Sequence, residues 1–184
     1  IEEVGLSPDV DPRHLDPEYI EAAGSRLCST RSTCHAVGHI LFQIYNEFDQ
    51  PLAMCEKISS GGELEHCFRG VFMEHADTVS THNLLLGTER KQLNDPNNLS
   101  FPCDSVSPLH QHACLRYLPR IQEPIFDEKN LSDVEIRKSE RQVCESFSSS
   151  EARTSCFEGY GFNYYGLVRS QKEMAHLVCD ELIL

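Results

Sequence analysis

Apolar residues recur along this chain at the spacing of helix faces. In the segment 31–48 they return every three or four positions and form one apolar stripe, made of Ala36, Val37, Ile40, Leu41, Ile44, Tyr45 and Phe48. This period is typical of an amphipathic helix that packs one face on a core. No run alternates apolar and polar residues over more than a few positions, so strand signals are nearly absent. The pattern therefore predicts an all-α fold.

Capping signals mark the predicted helix starts. Asp16 can accept hydrogen bonds from the exposed amides of a first turn, and Pro17 stands where its missing N–H is harmless. A capping box, in which a Ser is followed three residues later by a Glu, begins at Ser60, Ser132 and Ser148. Helices are predicted over 17–28, 31–48, 51–57, 61–78, 108–119, 133–146, 149–169 and 172–183. Long proline-containing loops are predicted over 86–102 and 119–131.

The cysteines, nine in all, lie near the predicted ends and starts of helices. Four times, one Cys closes an apparent helix and a second lies at or just inside the start of the next. Such positions can approach within the roughly 5–6 Å between Cα atoms that a disulfide requires. Zinc sites usually show close Cys-x-x-Cys pairs, and none occurs here. We therefore predict four disulfides: Cys28–Cys34, Cys55–Cys67, Cys103–Cys114 and Cys144–Cys156.

The segments around three of these pairs read as copies of one pattern, which indicates an internal repeat. We interpret the chain as disulfide-stapled αα-hairpin repeats forming a short α-solenoid, tetratricopeptide-like in architecture only. An extended lead-in, 1–15, precedes a single domain, 16–184. Its units are predicted at about 17–48, 49–86, 98–130 and 131–171, with a partial unit at 172–184. Because that last unit is apolar and its Cys179 lacks a partner, we expect further repeats or a homodimer contact at this end.

Charge and cysteine content narrow the class of protein. A formal charge of −13 with dispersed basic residues argues against extended contact with nucleic acid. No stretch approaches the roughly 20 apolar residues that a membrane span requires. Regularly paired cysteines favour an oxidising compartment, so we predict a secreted, periplasmic or cell-surface protein.

The densest group of candidate metal ligands is formed by His35 and His39 with Glu74 and His75. The first two are four residues apart and so share one face of a helix, as two metal-binding imidazoles must. If the hairpin brings all four side chains together, they make a nitrogen and oxygen site suited to zinc, copper or iron. In zinc peptidases a Glu directly follows the first His, but Ala36 stands there, so a zinc protease is not predicted.

All three of these histidines also have other interpretations. His75 lies near the middle of an apolar helix face, where a histidine is more often a hydrogen-bonded core residue. His35 and His39 fall opposite the core stripe of their helix together with Phe42 and Asn46. This second stripe is a candidate ligand-binding surface.

Two functions follow from these features. The leading hypothesis is an extracytoplasmic binding module that recognises a protein, a peptide or a small ligand and has no catalysis of its own. The alternative is a metal-dependent enzyme or a metal carrier that uses the His and Glu cluster. Neither a Gly-x-Ser-x-Gly elbow nor a phosphate-binding Gly loop after a strand occurs, so nucleophilic catalysis has no support.

Overall fold

The computed structural model describes the backbone of residues 15–81 and 94–170, with side chains up to 79 and 164 in these two ranges. Within them the chain forms eight α-helices and no strand, which confirms the all-α prediction. The helices are α1 Pro17–Leu27, α2 Arg31–Tyr45, α3 Asp49–Ile58, α4 Gly61–Thr81, α5 Pro108–Leu115, α6 Leu118–Glu128, α7 Asp133–Ser146 and α8 Ser150–Ser170. The partial unit 172–184, and with it the expected C-terminal contact of Cys179, lies outside the described residues, as does nearly all of the lead-in.

Local hydrogen bonds set two helix starts at the predicted residues. The side chain of Asp16 accepts from the backbone N–H of Glu18 at 2.9 Å and so caps α1. At α7, Ser132 and Glu135 form a complete capping box, each side chain accepting from the other's backbone N–H. These bonds satisfy amide groups that a helix cannot pair internally.

The four predicted disulfides are all present, and their cysteines span Cα–Cα distances of 4.2 to 5.8 Å. Three of them join the end of one helix to the first turns of the next, as expected. Cys103 differs, because it lies in a series of turns rather than at the end of a helix. Residues 94–107 contain no helix, so the third predicted hairpin lacks its first member.

Removing the disulfide between α7 and α8 is expected to lower stability appreciably. Cys144 and Cys156 are 12 residues apart, and closing a loop of this size contributes about 3 kcal/mol by restricting the unfolded chain. The double variant Cys144→Ala/Cys156→Ala should therefore lose about 3 kcal/mol in urea-induced unfolding followed by circular dichroism. An unchanged unfolding midpoint would show that the covalent link adds nothing to this helix pair.

The described helices cluster in two compact units, the first ending at Glu74 and the second beginning at His75, inside α4. The predicted single domain and its repeat boundaries stay predictions. In the first unit, α1, α2 and α3 contact one another. Its core is apolar and includes a row of three rings with centroids 5.5 to 5.7 Å apart. These rings belong to Phe42, Phe48 and Phe72.

In the second unit, α8 packs against α5, α6 and α7. Tyr160 of α8 is fully buried at the centre, where its hydroxyl donates a hydrogen bond to the side chain of Gln122 on α6. The amide of Gln122 in turn donates to the carbonyl of Leu99 at 2.7 Å. A buried Tyr and a buried Gln therefore satisfy each other, as buried polar groups must.

Both units contain one very close helix contact made by a glycine three residues after a cysteine. Gly70, after Cys67, packs on α2 so closely that a Cβ would overlap the carbonyl oxygen of His35. Gly159, after Cys156, packs on α5 in the same way, against the carbonyl oxygen of Leu115. In each case the contacted residue directly follows a disulfide-bonded cysteine.

The loop predicted over 119–131 is wrong, because α6 occupies most of it. Pro119 stands in the first turn, where its missing N–H is unpaired in any helix. Pro124 lies inside the helix and costs one internal hydrogen bond. The burial of an apolar face with helical spacing outweighs that cost; its members are Leu118, Ile121, Ile125 and Phe126.

Candidate functional site

The candidate site lies where α2 crosses α4 in the first unit. The crossing is close because Gly38 and Gly70 face each other, so that a Cβ on Gly38 would come within 2.9 Å of the Gly70 Cα. His39 directly follows Gly38, and Glu74 lies one turn beyond Gly70. The glycine contact therefore places these two side chains opposite each other across the crossing.

A carboxylate orients the ring of His39. Its Nδ1 lies 2.7 Å from the Oε2 atom of Glu74. The other carboxylate oxygen accepts a hydrogen bond of 2.8 Å from the side-chain amide of Gln43, one turn further along α2. Glu74 is thus held by two partners from the facing helix, and because it accepts, the Nδ1 atom of His39 carries a proton.

A backbone carbonyl orients the ring of His35 in the same way. Its Nδ1 lies 3.2 Å from the carbonyl oxygen of His66 on α4. A carbonyl can only accept a hydrogen bond, so this Nδ1 also carries its proton. Both histidines therefore present their Nε2 atoms on the other side of the ring.

These two Nε2 atoms face each other at 3.2 Å, and the rings of His35 and His39 meet edge to face with centroids 4.8 Å apart. When both rings are neutral, each Nε2 holds a lone pair rather than a proton. Two lone pairs at this distance repel each other. The contact becomes favourable when one ring is protonated and donates to the other, or when a metal ion binds both nitrogens.

The surroundings favour the neutral form of His35. Burial lowers the pKa of this histidine, and the neighbouring His39 ring lowers it further. The hydrogen bond to the His66 carbonyl acts in the opposite direction but does not outweigh them. The lone pair of His35 Nε2 is therefore available at neutral pH, as a metal ligand requires.

The structure corrects the predicted face of α2. Phe42 is only 2% exposed and packs against Phe48, whereas Ile40, assigned to the core stripe, is 49% exposed. The reason is that α2 is buried on two sides, against α3 through one face and against α4 through Gly38. Asn46 ends the helix in a left-handed conformation with φ 53° and its backbone N–H bonds Phe42. Phe42 therefore cannot present its ring as part of a binding surface.

His75 takes a different position from Glu74, although the two are adjacent on α4. Successive helical side chains point about 100° apart. His75 is fully buried, whereas His39 and Glu74 are partly exposed. The structure therefore brings three of the four predicted residues together, and for His75 a place in the site stays a prediction.

Sequence reasoning missed two contributors to the site. Gln43 supports Glu74, and its position one turn after His39 was a signal that could have been used. The carbonyl of His66 carries no side-chain signal at all. In the described parts of the chain no group of three or more His, Cys, Asp or Glu side chains is arranged to hold a metal ion. A metal at this site would have His35 and His39 as its protein ligands and Glu74 as a supporting group.

Comparison with known proteins gives no family: no family description, no curated protein and no solved structure matches the chain. Among residues 15–81 and 94–170, no helix has the length and apolar character that crossing a bilayer requires. The four intrachain disulfides are typical of proteins in extracellular or other oxidising compartments.

Proposed function

We propose that this chain is a binding module of an oxidising compartment whose first unit holds a transition-metal ion between His35 and His39. One observation carries the proposal. The Nε2 atoms of His35 and His39 face each other at 3.2 Å, while the Nδ1 atom of each ring donates a hydrogen bond to an acceptor on α4. Imidazole suits zinc, copper and iron, and zinc is the probe we choose for the test.

The spacing of the two nitrogens supports this choice. Nitrogens bound to one tetrahedral zinc ion at about 2.0–2.1 Å lie about 3.3 Å from each other. The observed separation of 3.2 Å agrees with that value, so the rings need little rearrangement to accept the ion. With two protein ligands, the remaining coordination positions are open to water or to a ligand from outside. Such a site is suited to exchange its metal, as a carrier does, rather than to hold a permanent structural ion.

In this proposal Glu74 is a supporting group and not a ligand. Metal-binding histidines commonly donate their second ring N–H to a carboxylate or to a backbone carbonyl, which fixes the tautomer and raises the basicity of the ligand nitrogen. His39 has the carboxylate of Glu74 in this role, and His35 has the carbonyl of His66. The same contacts also hold the rings against rotation, so less ordering is required when the metal binds.

We propose that the metal site belongs to the predicted extracytoplasmic helical-repeat module. Eight of the nine cysteines form disulfides and are not available as thiolate ligands. Histidine ligands are not lost in an oxidising compartment, whereas free thiolates are. Catalysis is no part of the proposal.

Titration of the metal-stripped, oxidised chain with zinc tests the proposal. Isothermal titration calorimetry should give one equivalent per chain, and elemental analysis should find that equivalent retained through desalting. A chain that takes up no stoichiometric zinc, copper or iron would overturn the proposal. In that case the two Nε2 atoms share a proton instead.

Replacing Glu74 with glutamine is expected to weaken zinc binding by about 10- to 100-fold without abolishing it, as loss of a carboxylate behind a histidine ligand typically does. The side chain keeps its size and an oxygen that accepts from His39, but loses the negative charge. Competition with a chromophoric chelator measures the change. An affinity equal to that of the parent chain would show that Glu74 does not support the metal.

A further inference from the structure

The second unit contains a cleft of about 510 Å³ between α6, α7 and α8. This volume is within the range of about 300–1,000 Å³ that is usual for small-molecule sites. Its apolar wall includes Pro119, Phe126 and Ile136. The titratable side chains of the cleft are Arg120, Arg137, Glu123, Asp127, Asp133 and Glu140. Four acids thus face two bases, so the lining has a negative formal charge.

A buried carboxylate lies in the wall of this cleft. The Glu140 side chain on α7 is only 3% exposed. The hydroxyl of Tyr164 donates a hydrogen bond of 2.7 Å to its Oε1 atom. Within the described part of the chain its Oε2 atom has no hydrogen-bond partner. A buried carboxylate oxygen without a donor is costly, and it indicates where a donor from outside would bind.

The surroundings of Glu140 shift the pKa of its carboxyl in opposite directions. Burial raises the pKa of this carboxyl above its usual value, and the hydroxyl of Tyr164 and the guanidinium of Arg137 offset that rise only in part. Burial and the nearby carboxylate raise the pKa of Tyr164, so that this hydroxyl keeps its proton and remains a donor. A positive group beside Oε2 would stabilise the ionised carboxylate against burial.

Neither basic side chain of the lining donates a hydrogen bond to Oε2 of Glu140. Arg120 on α6 forms an ion pair with Asp77 of α4 within the same unit. Arg137 lies three residues before Glu140 on α7 and already lowers the pKa of that carboxyl. Among the described residues, Oε2 of Glu140 is therefore left without a donor and can accept from a ligand bound in the cleft.

We propose that this cleft binds a small aliphatic amine, with one ammonium group donating to Oε2 of Glu140 and its methylene chain lying against Phe126 and Ile136. A diamine gains a second contact, because Asp127 lies exposed at the same cleft and can accept from the other ammonium group. This cleft shares no residue with the metal site and lies in the other unit. The two proposals can therefore be tested independently.

Calorimetric titration of the full oxidised chain with 1,4-diaminobutane tests this proposal. Butylamine, butanol and butyrate serve as matched probes of similar length. The diamine should bind more tightly than butylamine, and butanol should bind far more weakly than either amine. Preferential binding of butyrate would overturn the proposal, because it would show that the arginines rather than Glu140 determine the ligand.

Replacing Glu140 with glutamine should lower the affinity for both amines at least about tenfold, since a hydrogen bond to a charged group is lost. The control is Glu145→Gln, which removes the same charge from an exposed position on the same helix and should leave binding unchanged. Equal affinities in the two variants would overturn the proposal.

A second variant keeps the proposal falsifiable should Glu140→Gln fail to fold. Asp127→Asn changes an exposed side chain and should weaken diamine binding about two- to fivefold, because an exposed ionic contact contributes little. It should leave butylamine binding unchanged. An Asp127→Asn chain that binds the diamine as tightly as the parent would remove the second contact from the proposal. The double variant His35→Ala/His39→Ala should bind both amines normally, which separates this site from the metal site.

Discussion

Replacing Gly70 with alanine is expected to destabilise the first unit by at least about 3 kcal/mol, the upper end of what overpacking usually costs. The added Cβ would overlap the carbonyl oxygen of His35 and come within 3.0 Å of the Cα atom of Gly38. Both contacts are backbone atoms of α2, so no side-chain rotation can relieve them and the two helices must separate. The same separation would pull Glu74 away from His39.

Gly161→Ala is the matched control for this variant. Gly161 is also a helical glycine, but a Cβ there would meet nothing within 4 Å. Alanine should therefore stabilise α8 by up to about 1 kcal/mol through its higher helix propensity. Urea-induced unfolding of the two variants should give midpoints that move in opposite directions. A Gly70→Ala chain as stable as the parent would mean that α2 and α4 are not in contact at this position.

The double variant His35→Ala/His39→Ala is expected to lose stoichiometric metal binding completely. Both proposed ligands are removed, and among the described residues no group of three or more His, Cys, Asp or Glu side chains is arranged to bind the ion instead. Elemental analysis of protein desalted after incubation with zinc measures the loss. The fold should persist, because both side chains lie at the partly exposed end of the helix crossing and not in the apolar core.

His112→Ala serves as the control for the double variant. This histidine is half exposed and lies on α5 in the second unit, with Glu158 as an acidic neighbour at 3.9 Å. Its removal should leave the metal content unchanged. Retention of one zinc ion by the double variant, or its loss in His112→Ala, would assign the metal to other residues.

The features of this fold that depend on local sequence could be predicted. The start of α1 follows from Asp16 and Pro17, and that of α7 from Ser132 and Glu135, since a cap needs only neighbours along the chain. The four disulfides could be predicted for the same reason, because each joins consecutive elements over a short loop. The loop prediction for 119–131 failed because two prolines were given more weight than an apolar face with helical spacing.

The candidate site could be predicted only in part. The spacing of His35 and His39 placed them on one face, and that face meets Glu74 as expected. Periodicity alone could not show that α2 is covered on two sides. The predictions of an exposed Phe42 and a buried Ile40 were therefore both wrong. The tautomer of His35 depends on the carbonyl oxygen of His66, a backbone atom brought close to His35 by the contact of Gly70 with α2.

The most direct test of the metal proposal is to observe the ring nitrogens of these histidines. Long-range proton–nitrogen NMR of the nitrogen-labelled chain distinguishes protonated, unprotonated and metal-bound nitrogens, and the single alanine variants assign the signals among the nine histidines. With one equivalent of zinc, His35 and His39 should each show a protonated Nδ1 and a metal-bound Nε2. In the zinc-loaded chain, detection of either ring with a proton on Nε2, or an Nε2 signal that zinc leaves unchanged, would contradict the proposal.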